Sequence, residues 1–182
     1  GSAPSVATLP AGGVTVSGTY DDQDRLVSYG GNDYTYTPAG RLESRTEPGL
    51  LVTGYDFDPA GNLRGVTLPD ATEITYSLDG KQRRIQRAVN GSVTHRFLYD
   101  GILPVAQLDG SGVVVSQFVY AGGSSPAYLI QDGVNYRLVK DHVGSVRLVV
   151  NASTGAVVQR IDYDSFGNVL SDTNPGFQPF GF

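Results

Sequence analysis

Phe57-Asp58-Pro59-Ala60-Gly61-Asn62-Leu63 is the stretch whose chemistry decides the fold. Asp58 stands where a turn-opening carboxylate accepts a bond from the backbone two residues on. Pro59 follows at the position where its fixed φ presets a type I turn. Gly61 supplies the left-handed residue that closes such a hairpin with a bulge. Phe57 and Leu63 then fall on strands that pair across the turn.

The same order returns along the chain. It reads Tyr20-Asp21-Asp22-Gln23-Asp24-Arg25-Leu26, then Tyr36-Thr37-Pro38-Ala39-Gly40-Arg41-Leu42. A degenerate copy is Tyr76-Ser77-Leu78-Asp79-Gly80-Lys81-Gln82, and a late one is Tyr163-Asp164-Ser165-Phe166-Gly167-Asn168-Val169. The first four begin at 20, 36, 57 and 76, a spacing of roughly 20 residues that belongs to repeat arrays. In the first copy Asp24 replaces Gly, and Asp is among the few residues that tolerate the left-handed region. Between copies, Val93, His95, Phe97 and Tyr99 alternate with Thr94, Arg96 and Leu98 as a half-buried strand does. Val146, Leu148 and Val150 share a face by the same rule, and Val157, Ile161 and Tyr163 return on it with Gln159 interrupting. Asp109-Gly110-Ser111-Gly112 marks a further hairpin turn. Lys81–Val89 also fits helical spacing, but its place in the array favours a strand.

Composition agrees with many short strands. Of 182 residues 24 are Gly and 11 Tyr; 40% are hydrophobic and only 17% charged, too apolar for a disordered chain. The net charge of -5 lacks the basic footprint of a phosphate-backbone binder. Without Cys there are no disulfides and no thiolate metal sites. No apolar run is long enough to span a bilayer as a helix. Gly1-Ser2 reads as a tag remnant, and the chain as a piece of a longer protein.

With these motifs the chain resembles the Rhs/YD-repeat family. Residues 20–82 match its Tyr-Asp-x-x-Gly-Arg-Leu unit. Tyr136-Arg137-Leu138-Val139-Lys140-Asp141-His142-Val143-Gly144-Ser145-Val146-Arg147, followed by Tyr163-Asp164-Ser165-Phe166-Gly167, looks like the signature of the Rhs-associated core. The resemblance covers roughly residues 20–170. It implies a long β-strip spiralling into a hollow shell, which in bacterial toxins encloses a toxic C-terminal segment and in teneurins supports cell adhesion. Many members cleave themselves at an Asp-Pro-x-Gly-Leu-type junction further on. Nothing after Gly167 matches it, so self-cleavage is not carried over.

Asp141, His142 and Ser145 invite a catalytic reading. A nucleophile–base–acid set needs hydrogen-bond geometry, usually assembled from distant segments. The preferred reading has Asp141 and Gly144 shaping a turn, with His142 and Ser145 bonded locally and Arg147 part of the same structural signature. Asp21, Asp22 and Asp24, or Asp56 and Asp58, suggest calcium, but the twelve-residue loop spacing fails; turn capping explains them better. The basic run Lys81, Arg83, Arg84, Arg87 and Arg96 lacks interleaved aromatics for stacking on bases. Tyr rows could stack on sugars, but cross-strand packing is preferred.

The expectation is an all-β array of tandem antiparallel hairpins, forming a curved sheet or part of a spiralling shell. Its parts are a lead-in over residues 1–19, the array over 20–170 and an irregular tail over 171–182. Tyr20, Asp21, Tyr36, Gly40, Phe57, Asp58, Gly61, Tyr76, Gly80, Tyr163, Asp164 and Gly167 are structural repeat residues. The expected role is a wall segment of a secreted or cell-surface bacterial protein that encapsulates and helps deliver a C-terminal toxin. Its partners would be the rest of the shell and that toxin, with self-association through open sheet edges. No catalysis, cofactor, metal, nucleic acid or membrane insertion is expected. The rival reading is an extracellular adhesion or carbohydrate-binding module.

Overall fold

The computed structural model describes residues 7–11 and 14–181, with side chains from Ser17 onward. The expected tag remnant lies outside the described residues. All regular structure among the described residues is β-strand. The chain divides into two compact units, Gly1–Thr94 and His95–Phe182.

The first unit runs as an antiparallel meander of β1 (Ala7–Ala11), β2 (Val14–Tyr20), β3 (Leu26–Tyr29), β4 (Asn32–Tyr36), β5 (Leu42–Glu47), β6 (Leu51–Phe57), β7 (Leu63–Thr67), β8 (Glu73–Leu78) and β9 (Arg84–Val89). Each strand pairs with the next in sequence. The segment open to a helical reading, Lys81–Val89, contributes β9. After the Asn90-Gly91 turn, β10 (Ser92–Asp100) begins, and Thr94 Oγ1 donates to the carbonyl of Arg87 at 3.2 Å.

The register sorts the side chains of this unit onto two unlike faces, because side chains alternate along a strand and directly paired residues share a side. One face pairs Tyr34 with Arg45, Tyr55 with Val66, Val66 with Ile74 and Tyr76 with Arg87, and is half-buried. The other pairs Thr35 with Ser44, Gly54 with Thr67, and Thr67 with Glu73, and is polar. Among the described residues of this unit, Ala88 is the only buried hydrophobic one. The unit's described strands form one sheet with no buried hydrophobic cluster of their own among the described residues.

The second unit takes β10 onward through β11 (Leu103–Asp109), β12 (Val114–Val119), β13 (Tyr128–Gln131), β14 (Val134–Lys140), β15 (Val146–Asn151), β16 (Val157–Tyr163) and β17 (Val169–Asp172), again paired in sequence order. It has a true core: Phe118, Leu129, Leu138, Val146 and Val149 are buried together. Each such side chain contributes about 1.5–3 kcal/mol through burial.

Residues 173–181 form no strand, yet they complete this core. The Phe180 ring meets Phe118 edge-on at 4.8 Å, and Phe177 meets Tyr136 at 5.1 Å. Val146 N donates to the Gly181 carbonyl at 3.3 Å. Gln159 Nε2 donates to both Asp172 carboxylate oxygens at 2.9 and 3.0 Å, and to the Asn174 carbonyl at 3.0 Å.

Strict alternation misplaces two strands here. Val139 pairs with Leu148 but Lys140 pairs with Val146, so Arg147 is an extra residue in a bulge. Val146 thereby joins Val149 on the buried side, while Leu148 and Val150 lie half-buried on the other. Skipping Val158 has the same effect on β16. Gln159 and Ile161 are buried and Val157 is exposed, so Gln159 belongs to the core face instead of interrupting it.

Candidate functional site

The feature built most deliberately from this sequence is the five-residue turn. In the first copy, Asp21 N donates to the Arg25 carbonyl and Asp24 N to the Asp21 carbonyl, both at 3.0 Å. Asp24 sits at φ 58°, the left-handed position. The same backbone pair closes 37–41, 58–62, 68–72, 79–83, 109–113, 141–145 and 164–168. Gly40, Gly61, Gly112, Gly144 and Gly167 hold the left-handed position in five of these.

The opening carboxylate does more than cap the turn. Asp79 Oδ1 accepts from Lys81 N and Arg83 N at 2.9 and 3.0 Å, while Oδ2 accepts from Arg83 Nε at 2.6 Å. Asp21 grips Gln23 N, Arg25 N and the Arg25 guanidinium in the same way. Asp58 and Asp164 use the side-chain amides of Asn62 and Asn168. A carboxylate held by several donors favours its charged form. The Arg83 side chain accordingly holds Asp79 down at about 2. Arg25 lowers Asp21, Asn62 lowers Asp58, the Ser111 hydroxyl lowers Asp109 and Asn168 lowers Asp164.

At Arg25, Asn62, Arg83 and Asn168 the residue after the left-handed position is thus a side-chain partner of the opening Asp, a role the sequence analysis did not assign. Its signal was present, since Arg25, Arg41, Asn62 and Asn168 all stand there. Arg41 does something else: its guanidinium donates to the carbonyls of Asp58 and Pro59 at 3.3 and 3.2 Å, fastening one turn to the next. A Cβ on Gly61 would lie 3.0 Å from Arg41 NH2, and Gly61 has φ +92°. In the second unit Arg96 reaches the Gly110 carbonyl at 2.9 Å in the same manner. Tyrosine hydroxyls also fasten hairpins: Tyr36 OH donates to the Leu26 carbonyl and, outside the motif copies, Tyr120 OH to the Pro104 carbonyl, both at 2.7 Å.

Other singled-out residues find their places. Tyr20 pairs with Leu26 and Phe57 with Leu63, as their turn positions imply. Tyr163 pairs with Val169. The fourth turn is centred two residues later than the aligned copy. Asp79 opens it, Gln82 takes the left-handed position at φ 62°, and Gly80 is the second turn residue. Tyr76 lies within β8, under the Arg84 guanidinium at 3.8 Å.

Asp141 to Ser145 proves to be another copy of the same turn. Asp141 Oδ1 accepts from Val143 N and Ser145 N at 3.1 and 3.0 Å. His142 is exposed on the turn while Ser145 is buried, and no hydrogen bond joins the two. Arg147 pairs with Asp162 at 2.6 Å and lies over the Tyr163 ring. The basic run disperses: Arg83 bonds Asp79, Arg84 covers Tyr76 and Arg87 reaches Thr94 Oγ1 at 3.2 Å. Among the described residues no three His, Asp or Glu side chains converge as metal ligands.

The profile of the Teneurin YD-shell fits residues 10–182. The chain belongs to the Teneurin YD-shell family. A similar protein is the tRNA3(Ser)-specific nuclease WapA of Bacillus spizizenii, 28% identical over 173 residues, covering 92% of this chain and 7% of that protein. Teneurin-4 of Homo sapiens is 25% identical over 171 residues, covering 87% of this chain and 6% of its own. Among solved structures, a Photorhabdus luminescens Tc holotoxin pore aligns at TM-score 0.44 and 14% identity, over 86% of this chain and 12% of that chain. The YD-shell segment thus spans about 7% of the length of the curated relatives it matches. Asp21, Asp58, Asp79, Asp109, Asp141 and Asp164 are the residues whose carboxylates close its turns.

Proposed function

We infer that this chain is a wall segment of a bacterial, secreted or cell-surface shell that encapsulates and helps deliver a C-terminal toxin. The segment itself performs no catalysis. The observation that carries the reading is the first unit's sheet, with one half-buried aromatic face, one polar face and Ala88 as the only buried hydrophobic residue described there. Such a sheet is suited to separating two spaces, and its turns are locked by their opening carboxylates. The WapA relatives are named as nucleases, and the matched segment spans 7% of their length. The partners are the rest of the shell and its cargo; nucleic acid and membrane insertion form no part of the reading. Electron cryo-microscopy of the intact protein tests it. A closed β-shell with density inside supports encapsulation, and an open sheet with solvent on both faces contradicts it.

The alternative of an adhesion or carbohydrate-binding module has one observation in its favour, the row of Tyr34, Tyr55 and Tyr76 on one face. Glycan-array binding that weakens on Tyr55→Ala would favour it. The half-burial of all three rings and the Arg84 guanidinium over Tyr76 favour packing instead.

A further inference from the structure

We propose that the bend at Ser125–Pro126 is a cation-binding cage whose resident cation is the ammonium of Lys140. The segment between β12 and β13 reads Ala121-Gly122-Gly123-Ser124-Ser125-Pro126, and glycine and serine alone would leave it loose. Its far end is tied by Ala127 N donating to the Val119 carbonyl at 2.8 Å and Leu138 N to the Ala127 carbonyl at 2.9 Å. Within the bend, Pro126 is fully buried. Three oxygens converge on Lys140 Nζ: Ser125 Oγ at 2.9 Å, the Pro126 carbonyl at 3.1 Å and the Ser125 carbonyl at 3.3 Å. An ammonium has three donors and no acceptor, so the bend uses all of them.

The Ser125–Lys140 distance is also that of a nucleophile and its base. A base needs a free lone pair facing the nucleophile, whereas Lys140 Nζ donates to Ser125 Oγ and to both carbonyls. The geometry is that of a cation site. Its ligand class is a primary ammonium or a monovalent cation of similar size, supplied here by the chain itself. Lys140 ends β14 and Asp141 opens the next locked turn, so the cage couples the β12–β13 segment to that turn.

Chemical rescue on the purified chain tests this. Lys140→Ala and Lys140→Met are compared with the wild type under a broad-specificity protease, with cleavage within residues 121–126 read by mass spectrometry. Near-ultraviolet dichroism of the aromatic cluster monitors folding, and Lys140→Met keeps the aliphatic stem should Lys140→Ala lose its packing. Both variants are expected to be cut about tenfold faster, the loss of hydrogen bonds to a charged group. Methylammonium chloride restores slow cleavage to Lys140→Ala, and tetramethylammonium chloride, which has no N–H, does not. Wild-type cleavage rates in both variants, equal rescue by the two salts, or fast cleavage that neither salt slows would each overturn the cage.

Discussion

Asp79 shows at the residue scale what holds the hairpins closed. Its carboxylate is held at about 2 by Arg83, and Asp21, Asp58, Asp70, Asp109 and Asp164 are lowered in the same direction by their own turn donors. A carboxylate whose folded value lies below its unfolded one contributes stability above the unfolded value. That contribution is lost as pH falls through the folded value. The urea midpoint should therefore stay level from neutrality into weak acid, then fall between the ordinary carboxylate value of 3.8 and about 2. Asp79→Asn should shrink that fall; an unchanged profile would contradict the lock. Gly61 supplies a second residue-scale test. Gly61→Ala forces a left-handed alanine, costing about 1–3 kcal/mol, and presses on Arg41. Gly40→Ala carries the left-handed cost without a neighbour within 4 Å. Gly61→Ala should therefore lower the urea midpoint more, and the difference should vanish in an Arg41→Ala background.

At the element scale the tail is the test piece. Phe180 is half-buried edge-on against Phe118, whereas Phe166 is 60% exposed in the last hairpin turn. Phe180→Ala should cost about 2 kcal/mol in chemical denaturation, from lost burial and a lost ring pair, and Phe166→Ala close to nothing. Equal effects would mean that the tail is not part of the core. The strands and turns were legible in the sequence because Asp, Pro and Gly at fixed offsets dictate backbone angles locally. The core of the second unit was not legible in the same way. A bulge such as that at Arg147 reverses alternation, and no local propensity announces it. Nor could composition show that Phe177 and Phe180, in a stretch rich in Gly and Pro, fold back onto Tyr136 and Phe118. The chelating role of Arg83 and Asn62 needed the three-dimensional turn before its meaning was plain.

At the scale of the whole molecule the two units differ in what stabilises them. The second has a packed cluster; the first relies on cross-strand pairs and locked turns. Amides of β14 and β15 should exchange with solvent more slowly than those of β5 to β7, since buried apolar contacts raise the cost of local opening. Uniform protection across both units would contradict that contrast. Exposed strand edges template association, so sedimentation of the isolated chain should show dimers or larger species at high concentration, and a monomer throughout would count against edge pairing. The wall reading itself is tested most directly by protease protection in the intact protein. A segment enclosed by the shell should survive digestion until the shell is unfolded, then disappear at once. If the region C-terminal to this chain is cut at the same rate in the native protein as after unfolding, the chain does not wall off a cargo.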